Sequence, residues 1–193
     1  MASCSGAVPG AESRTIVAGD GDATFLTIAP LVLDLGCGNG VFLAGLAAAR
    51  PDWNVLGIDK KHYRVRQARR RAQNLDNARV VHGEVVEILS ALPPQSISRV
   101  YLLFSDPWPK RRHAVRRLVQ DDFVSLVGSK LAPGGTFFFA TDATEYFDWA
   151  KERFGESGWK LGDWLLPEGW PPTEFEQRFV ADGVQIRRFQ AQR

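Results

Sequence analysis

Cysteine is nearly absent from the 193-residue sequence: Cys4 and Cys37 are the only two, and Cys37 sits inside a glycine-rich stretch. That excludes a disulfide framework and a cysteine-based zinc site, and no metal is expected. Long apolar runs are missing too. No stretch approaches the ~20 residues that a membrane-spanning helix needs. The N-terminus lacks the basic start and apolar core of a secretory signal, so a cytoplasmic protein without a membrane partner is expected. Internal repeats and low-complexity tracts are also missing. What is left, 45% hydrophobic and 24% charged, is the composition of an ordinary globular protein. The length suits one core.

Acidic side chains are scarce in the middle third. Residues 60–120 hold fourteen basic and four acidic groups, against two and six in residues 1–59 and eight and twelve in residues 121–193. The formal net charge of +2 therefore hides a central segment of +10 between two of −4. Such segregation points to a polyanionic partner docking on one region of the surface.

Residues 1–28 show no sustained periodicity, and a poorly ordered segment over 1–30 is expected. From residue 31 apolar runs alternate with helical patterns. Strands are predicted at Leu31–Leu35, Trp53–Ile58, Ala78–His82, Arg99–Phe104 and Thr136–Thr141. Helices are predicted at Val41–Ala49, Lys60–Asn74, Glu84–Ala91, Arg117–Leu131 and Thr144–Phe154. The tail from Trp159 reads as strand, proline-bearing loop, short helix and a final strand over Val184–Gln190. This alternation implies parallel βαβ units, with near-continuous apolar strands covered on both faces. Ligands in such sheets bind at the carboxyl ends of the strands.

The first of those ends is Asp34-Leu35-Gly36-Cys37-Gly38-Asn39-Gly40. Glycines at alternate positions let the backbone turn tightly against a ligand, beside a helix N-terminus. Val41 stands where a dinucleotide-binding G-x-G-x-x-G pattern needs glycine, which weakens that reading. Asp34 either holds the turn closed or meets a cationic ligand group. Asp59 ends the second strand, where a carboxylate either accepts both hydroxyls of a ribose or caps the next helix. Glu84 follows the third strand and either reaches an adenine amino group or caps the helix after it. A row of carboxylates suits a ribose, an adenine and a positively charged amino-acid tail rather than phosphates; the ligand implied is S-adenosylmethionine. Residues 31–142 resemble the class I methyltransferase fold: α/β, Rossmann-like, with a mostly parallel seven-stranded sheet and helices on both faces.

The segment after the fourth strand is more specific. Phe104-Ser105-Asp106-Pro107-Trp108-Pro109-Lys110-Arg111-Arg112-His113, with Arg116-Arg117-Leu118 beyond it, resembles the signature of the tRNA (guanine-N7)-methyltransferase family. Thr141-Asp142 and Thr173-Glu174-Phe175-Glu176 resemble its other two motifs. The likeness runs from about residue 31 to the end, so residues 31–193 are expected to form the methyltransferase domain. It implies a tRNA partner and methylation of a variable-loop guanine. It also implies Asp106 as the catalytic residue touching cofactor or guanine, and Lys110, Asp142, Thr173 and Glu176 as substrate-binding; Arg111 and Arg112 join that set by their charge. The cofactor set is Asp34, Gly36, Gly38, Gly40, Asp59, Glu84 and Asp106. The family more often has Glu where Asp34 stands and Asp where Glu84 stands, each swap moving the charge by about one methylene.

Physical chemistry fits that carry-over. Two prolines make the Asp106–Pro109 loop stiff. Trp108 offers either a stacking face for a base or bulk to bury against the helix layer. The cations Lys110, Arg111, Arg112, Arg116 and Arg117 suit phosphates, whose binding weakens as salt rises. Guanine N7 already bears a free lone pair, so attack on a sulfonium methyl needs alignment rather than proton removal. Thr173 and Glu176 also match a helix capping box, and Asp142 could cap the helix after it. Other readings are an enzyme acting on an exocyclic nucleobase amine, since Asp-Pro after the fourth strand is similar to loops that surround an amine, and a non-catalytic RNA-binding relative. Either a monomer or a homodimer is compatible with the sequence.

Overall fold

The computed structural model describes residues 23–193. The seven strands are β1 (Leu31–Leu35), β2 (Asn54–Asp59), β3 (Ala78–His82), β4 (Ile97–Leu103), β5 (Leu131–Thr141), β6 (Lys160–Gly162) and β7 (Arg187–Gln192). The helices are α1 (Val41–Ala49), α2 (His62–Ala72), α3 (Val85–Ala91), α4 (Asp121–Lys130), α5 (Thr144–Glu156) and α6 (Glu174–Ala181). The strands form one sheet in the order β3-β2-β1-β4-β5-β7-β6, parallel except for β7, which runs antiparallel to both of its neighbours. Sheet order reverses between β1 and β4, which makes a crevice beyond their carboxyl ends.

Alternation along the strands builds two cores. Leu31, Leu33 and Leu35 face a layer that includes Ile88, Leu89, Phe123, Val124, Tyr146 and Phe154 from α3, α4 and α5. Val32, between them, faces Phe42, Leu43, Leu46, Val65 and Ala68 from α1 and α2. A period of two thus sends successive side chains of a fully buried strand to opposite helix layers. Asp34 shares the parity of Val32 and ends on the α1–α2 side. Among the described residues no helix is long and apolar enough to cross a membrane.

Beyond shifts of one or two residues at element ends, the observed elements depart from the predicted ones in four places. Residues 1–22 of the expected loose segment lie outside the described residues, but within 23–30 a short 3-10 turn, Ala23–Leu26, sends Phe25 and Leu26 into the core. Strand β5 begins at Leu131 instead of Thr136. Leu131 pairs with Ile97 and Thr136 with Arg99, so Ala132–Gly135 bulge out of a continuing strand, helped by the left-handed Gly134. Helix α4 starts at Asp121, where two acids occupy its first turn and complement the helix dipole. Upstream of it, Arg111–Arg116 form a 3-10 stretch. The final strand begins at Arg187 rather than Val184.

Candidate active site

A cavity of about 650 Å³ opens at the carboxyl ends of β1, β2 and β4, at the reversal of sheet order. It gathers Asp34, Gly36, Gly38, Asp59, Glu84, Asp106 and Thr173 from the residues predicted by sequence. Gly40, Lys110, Arg111, Arg112, Asp142 and Glu176 do not line it.

The glycine loop is held against β2 by two backbone bonds: the amides of Gly36 and Cys37 both donate to the Ile58 carbonyl, at 2.8 and 3.0 Å. Gly36, Gly38 and Gly40 are all left-handed, with φ of 76°, 56° and 80°. Gly40 has a packing role besides. A Cβ there would lie 2.7 Å from Ala68 of α2, so α1 and α2 can approach only across a glycine. Asp59 braces the same loop, its Oδ2 accepting from the Gly38 amide at 3.0 Å and its Oδ1 from the Lys61 amide at 2.7 Å. It is not the helix cap that one reading allowed, since Lys61 holds the cap position of α2.

Asp34 is buried, and its Oδ2 has no hydrogen-bond partner among the described residues. Burial first, and the nearby charge of Asp59 second, push its pKa up to about 7. A buried acceptor without a donor is costly, so this atom marks a place where a ligand donor belongs. Glu84 differs in kind: it is exposed, makes no side-chain cap bond to α3, and lies 3.5 Å from Lys60 Nζ.

Across the crevice, Phe104 and Trp108 both adopt φ near +50°, at 53° and 43°, a left-handed conformation unusual for bulky side chains. The surroundings hold that turn in place. The Trp108 amide donates to Asp106 Oδ1 at 3.2 Å, and Ser105 Oγ lies 3.3 Å from the Tyr146 hydroxyl. Phe104 packs on Phe175 and Phe179 of α6. Arg117 Nε donates to the Pro107 carbonyl at 2.9 Å. Arg117 is buried, with its guanidinium 5.5 Å from the Tyr146 ring and 5.2 Å from that of Trp149. The expectation that Arg117 contacts phosphate is therefore corrected: the turn out of the 3-10 stretch points it inward as a brace.

Trp108 is half-buried and faces the cavity instead of the helix layer, with Arg116 5.0 Å above its ring and His113 edge-on at 5.8 Å. Lys110, Arg111 and Arg112 are exposed on the outer side of the loop.

The third motif is a capping box in fact. The Glu176 amide donates to Thr173 Oγ1 at 2.9 Å, and the Thr173 amide donates back to Glu176 Oε2 at 3.4 Å. Both carboxylate oxygens of Glu176 are engaged, because Oε1 also accepts from Arg188. The side chains of this motif that reach the cavity are Thr173, Glu174 and Phe175, and the last two were not singled out from sequence. Glu174 accepts from Asn39 Nδ2 at 2.5 Å, tying α6 to the glycine loop. Close approach of Pro171 to Gly45, where a Cβ would meet it at 2.6 Å, lays this segment over α1. Asp142 is half-buried and does not cap α5, whose cap position is Ala143.

Comparison with known proteins agrees with this geometry. A family model described as "Putative methyltransferase" matches residues 28–189. The chain is 42% identical over 169 residues to the tRNA (guanine-N(7)-)-methyltransferase of Nitrosococcus oceani, covering 83% of this chain and 70% of that protein. The chain belongs to the tRNA (guanine-N7)-methyltransferase family. Further members, from Halorhodospira halophila and Geobacter metallireducens, are each 36% identical over 86% of this chain, covering 76% and 83% of their own lengths.

Among solved structures, the 16S rRNA methyltransferase KamB superposes with a TM-score of 0.64 at 19% identity, covering 89% of this chain and 92% of that one. A precorrin-6y C5,15-methyltransferase from Geobacter metallireducens GS-15 gives 0.62 at 12% identity, covering 88% and 83%. At these identities the likeness is one of fold. The guanine-N7 methyltransferase family motifs thus sit on a class I methyltransferase sheet, two of them at the cavity and one, Thr141-Asp142, beside it.

Proposed function

We propose that this protein transfers the methyl group of S-adenosylmethionine to N7 of a guanine in tRNA, the variable-loop guanine being the target that the resemblance implies. One observation carries the reading: a single cavity joins a glycine-and-acid edge to a rigid Asp106–Trp108 turn, with cations on its outer side.

The donor set fits the cofactor. The unpartnered Asp34 oxygen suits an ammonium, Asp59 keeps acceptor capacity beside the Gly38 amide for ribose hydroxyls, and Glu84 suits an amino group. S-adenosylmethionine bound there supplies an electrophilic methyl group on a sulfonium. The rest is done by the chain. Trp108 gives a purine a flat face, a contact worth ~1–3 kcal/mol per base in single-stranded complexes. The bond from the Trp108 amide to Asp106 fixes both groups in one turn, so base and carboxylate are oriented together. As N7 acquires the methyl, positive charge grows on the purine, and the Asp106 carboxylate, exposed to the crevice, stabilises it. No base has to remove a proton, because N7 attacks with a lone pair it already carries. Alignment of this kind supplies roughly 7–11 kcal/mol of barrier reduction. Lys110, Arg111 and Arg112 hold the phosphates that deliver the base.

Incubation with labelled S-adenosylmethionine and unmodified tRNA, followed by nuclease digestion and mass spectrometry, tests the reading. N7-methylguanosine in the variable loop is expected. Methyl transfer to an exocyclic amine, or none by well-folded protein, would refute it.

A further inference from the structure

We infer that the outer face of α2 is a second tRNA-binding strip, so that the RNA is gripped from both rims of the crevice. This rests on the tRNA-methylating function proposed above and names a contact surface that the family motifs do not include.

Helix α2 carries five arginines, Arg64, Arg66, Arg69, Arg70 and Arg71, and no acid, and Lys60 and Lys61 precede it. Its first turn carries no acid, and the carboxylate at its positive end is Asp59, buried and bonded to the Lys61 and Gly38 amides. Arg66 and Arg70 stand four residues apart, a spacing at which like charges repel on a helix. Among the described residues no salt bridge involves an α2 arginine, and the exposed carboxylate near the start of the helix, Glu84, is paired with Lys60. Arg69, Arg70 and Arg71 sit in the last turn, where they complement the helix dipole, but the face carries five arginines and no acid, and such a face is suited to a polyanion.

Placement selects which polyanion. Lys60, Lys61 and Arg64 line the cavity itself, so the strip starts where the acceptor base must enter and continues outward along α2. Arg69 and Arg71 have structural bonds, to the Val80 and Asn39 carbonyls at 3.1 and 2.9 Å. Arg66 and Arg70 are exposed with no such bond among the described residues, and their guanidiniums are available to phosphates. Sheet order puts α2, which follows β2, on the opposite side of the glycine loop from the Lys110–Arg112 cations, which follow β4. A folded RNA placing one base in the crevice would have backbone crossing both rims.

The test is fluorescence anisotropy of labelled tRNA across a stepped potassium chloride series, with methylation kinetics and thermal melts alongside. Removing one phosphate-binding cation should reduce the slope of log affinity against log salt by about 0.7–0.9, equivalent to roughly five- to eightfold in affinity at 0.1 M salt. The Arg66→Ala/Arg70→Ala variant should show up to two such steps, a raised KM for tRNA, a melting temperature no lower than that of the parent, and unaltered cofactor affinity. The Arg66→Glu/Arg70→Glu variant should weaken binding further. Slope, affinity and KM equal to those of the parent in both variants, while the parent still forms N7-methylguanosine, would overturn this inference and leave the proposed function standing. Failure of the parent to bind or methylate tRNA would overturn both. Arginine-dependent binding of phosphatidylserine vesicles with unchanged tRNA binding would assign the strip to a membrane surface and overturn it too.

Discussion

Replacing Asp34 by Asn should stabilise the free protein above neutral pH and cripple its hold on the cofactor. The Asp34 carboxyl is raised from its ordinary 3.8 to about 7 by burial and by the charge of Asp59. The folded chain therefore binds this proton more tightly than the unfolded chain does. The resulting destabilisation is absent below pH 3.8, grows as pH rises, and is complete above about 7. At about 1.4 kcal/mol per pH unit, a shift of this size amounts to about 4 kcal/mol. Asn has nearly the same shape and no charge, so Asp34→Asn removes the pH-dependent part. Any penalty for its unsatisfied amide, roughly 1–3 kcal/mol, is the same at every pH. Urea denaturation at a series of pH values from 4 to 8 measures the difference directly. The stability of the variant relative to the parent should climb by several kcal/mol across that range. Calorimetry with S-adenosylmethionine completes the test. An ammonium bonded to a carboxylate contributes about 1.5–3 kcal/mol, so the variant should lose roughly ten- to a hundredfold in affinity at pH 8. The parent's affinity should rise with pH and level off above neutrality. A stability difference that is flat with pH, or full cofactor affinity in the variant, would refute the assignment of Asp34 as a buried, ligand-seeking carboxylate.

Other substitutions separate the parts of the site. Asp106→Ala should depress kcat by at least a hundredfold while tRNA affinity in a filter-binding assay changes less than threefold, on the order expected for one electrostatic group. Arg117→Met removes the bond to the Pro107 carbonyl, and kcat should fall with a loss of about 1–3 kcal/mol in chemical denaturation, because the loop loses its brace. Gly40→Ala, forced into φ +80° and within 2.7 Å of Ala68, should cost at least about 1–3 kcal/mol and lower the melting temperature by several degrees.

The sheet and its helices were legible because hydrophobic periodicity is a local signal; β1, α1 and β3 fall where the apolar runs put them. The acids at strand ends were legible too, since topology alone brings Asp34, Asp59 and Glu84 to one cavity. What could not be read was the direction in which a side chain leaves an irregular loop. Arg117 and Arg116 are adjacent and chemically identical, yet one is buried under Tyr146 and the other is exposed over Trp108. The difference arises where the 3-10 stretch ends, which no periodicity marks. Glu176 makes the capping box that its spacing from Thr173 allowed, while Glu174, not singled out from sequence, lines the cavity. The position of Glu174 depends on long-range contacts that no local pattern marks: its bond to Asn39 of the glycine loop and the close approach of Pro171 to Gly45 of α1.

The insertion of β7 between β5 and β6 has a consequence for biosynthesis. Strand β6 finds its hydrogen-bonding neighbour only in a segment made later, and until then the β5 edge that carries Phe137 and Phe139 stands open. A nascent chain paused after residue 162 would therefore expose an unpaired, aromatic strand edge to other chains. Synonymous codons that slow translation across residues 163–186 should increase inclusion-body formation without altering the mature enzyme.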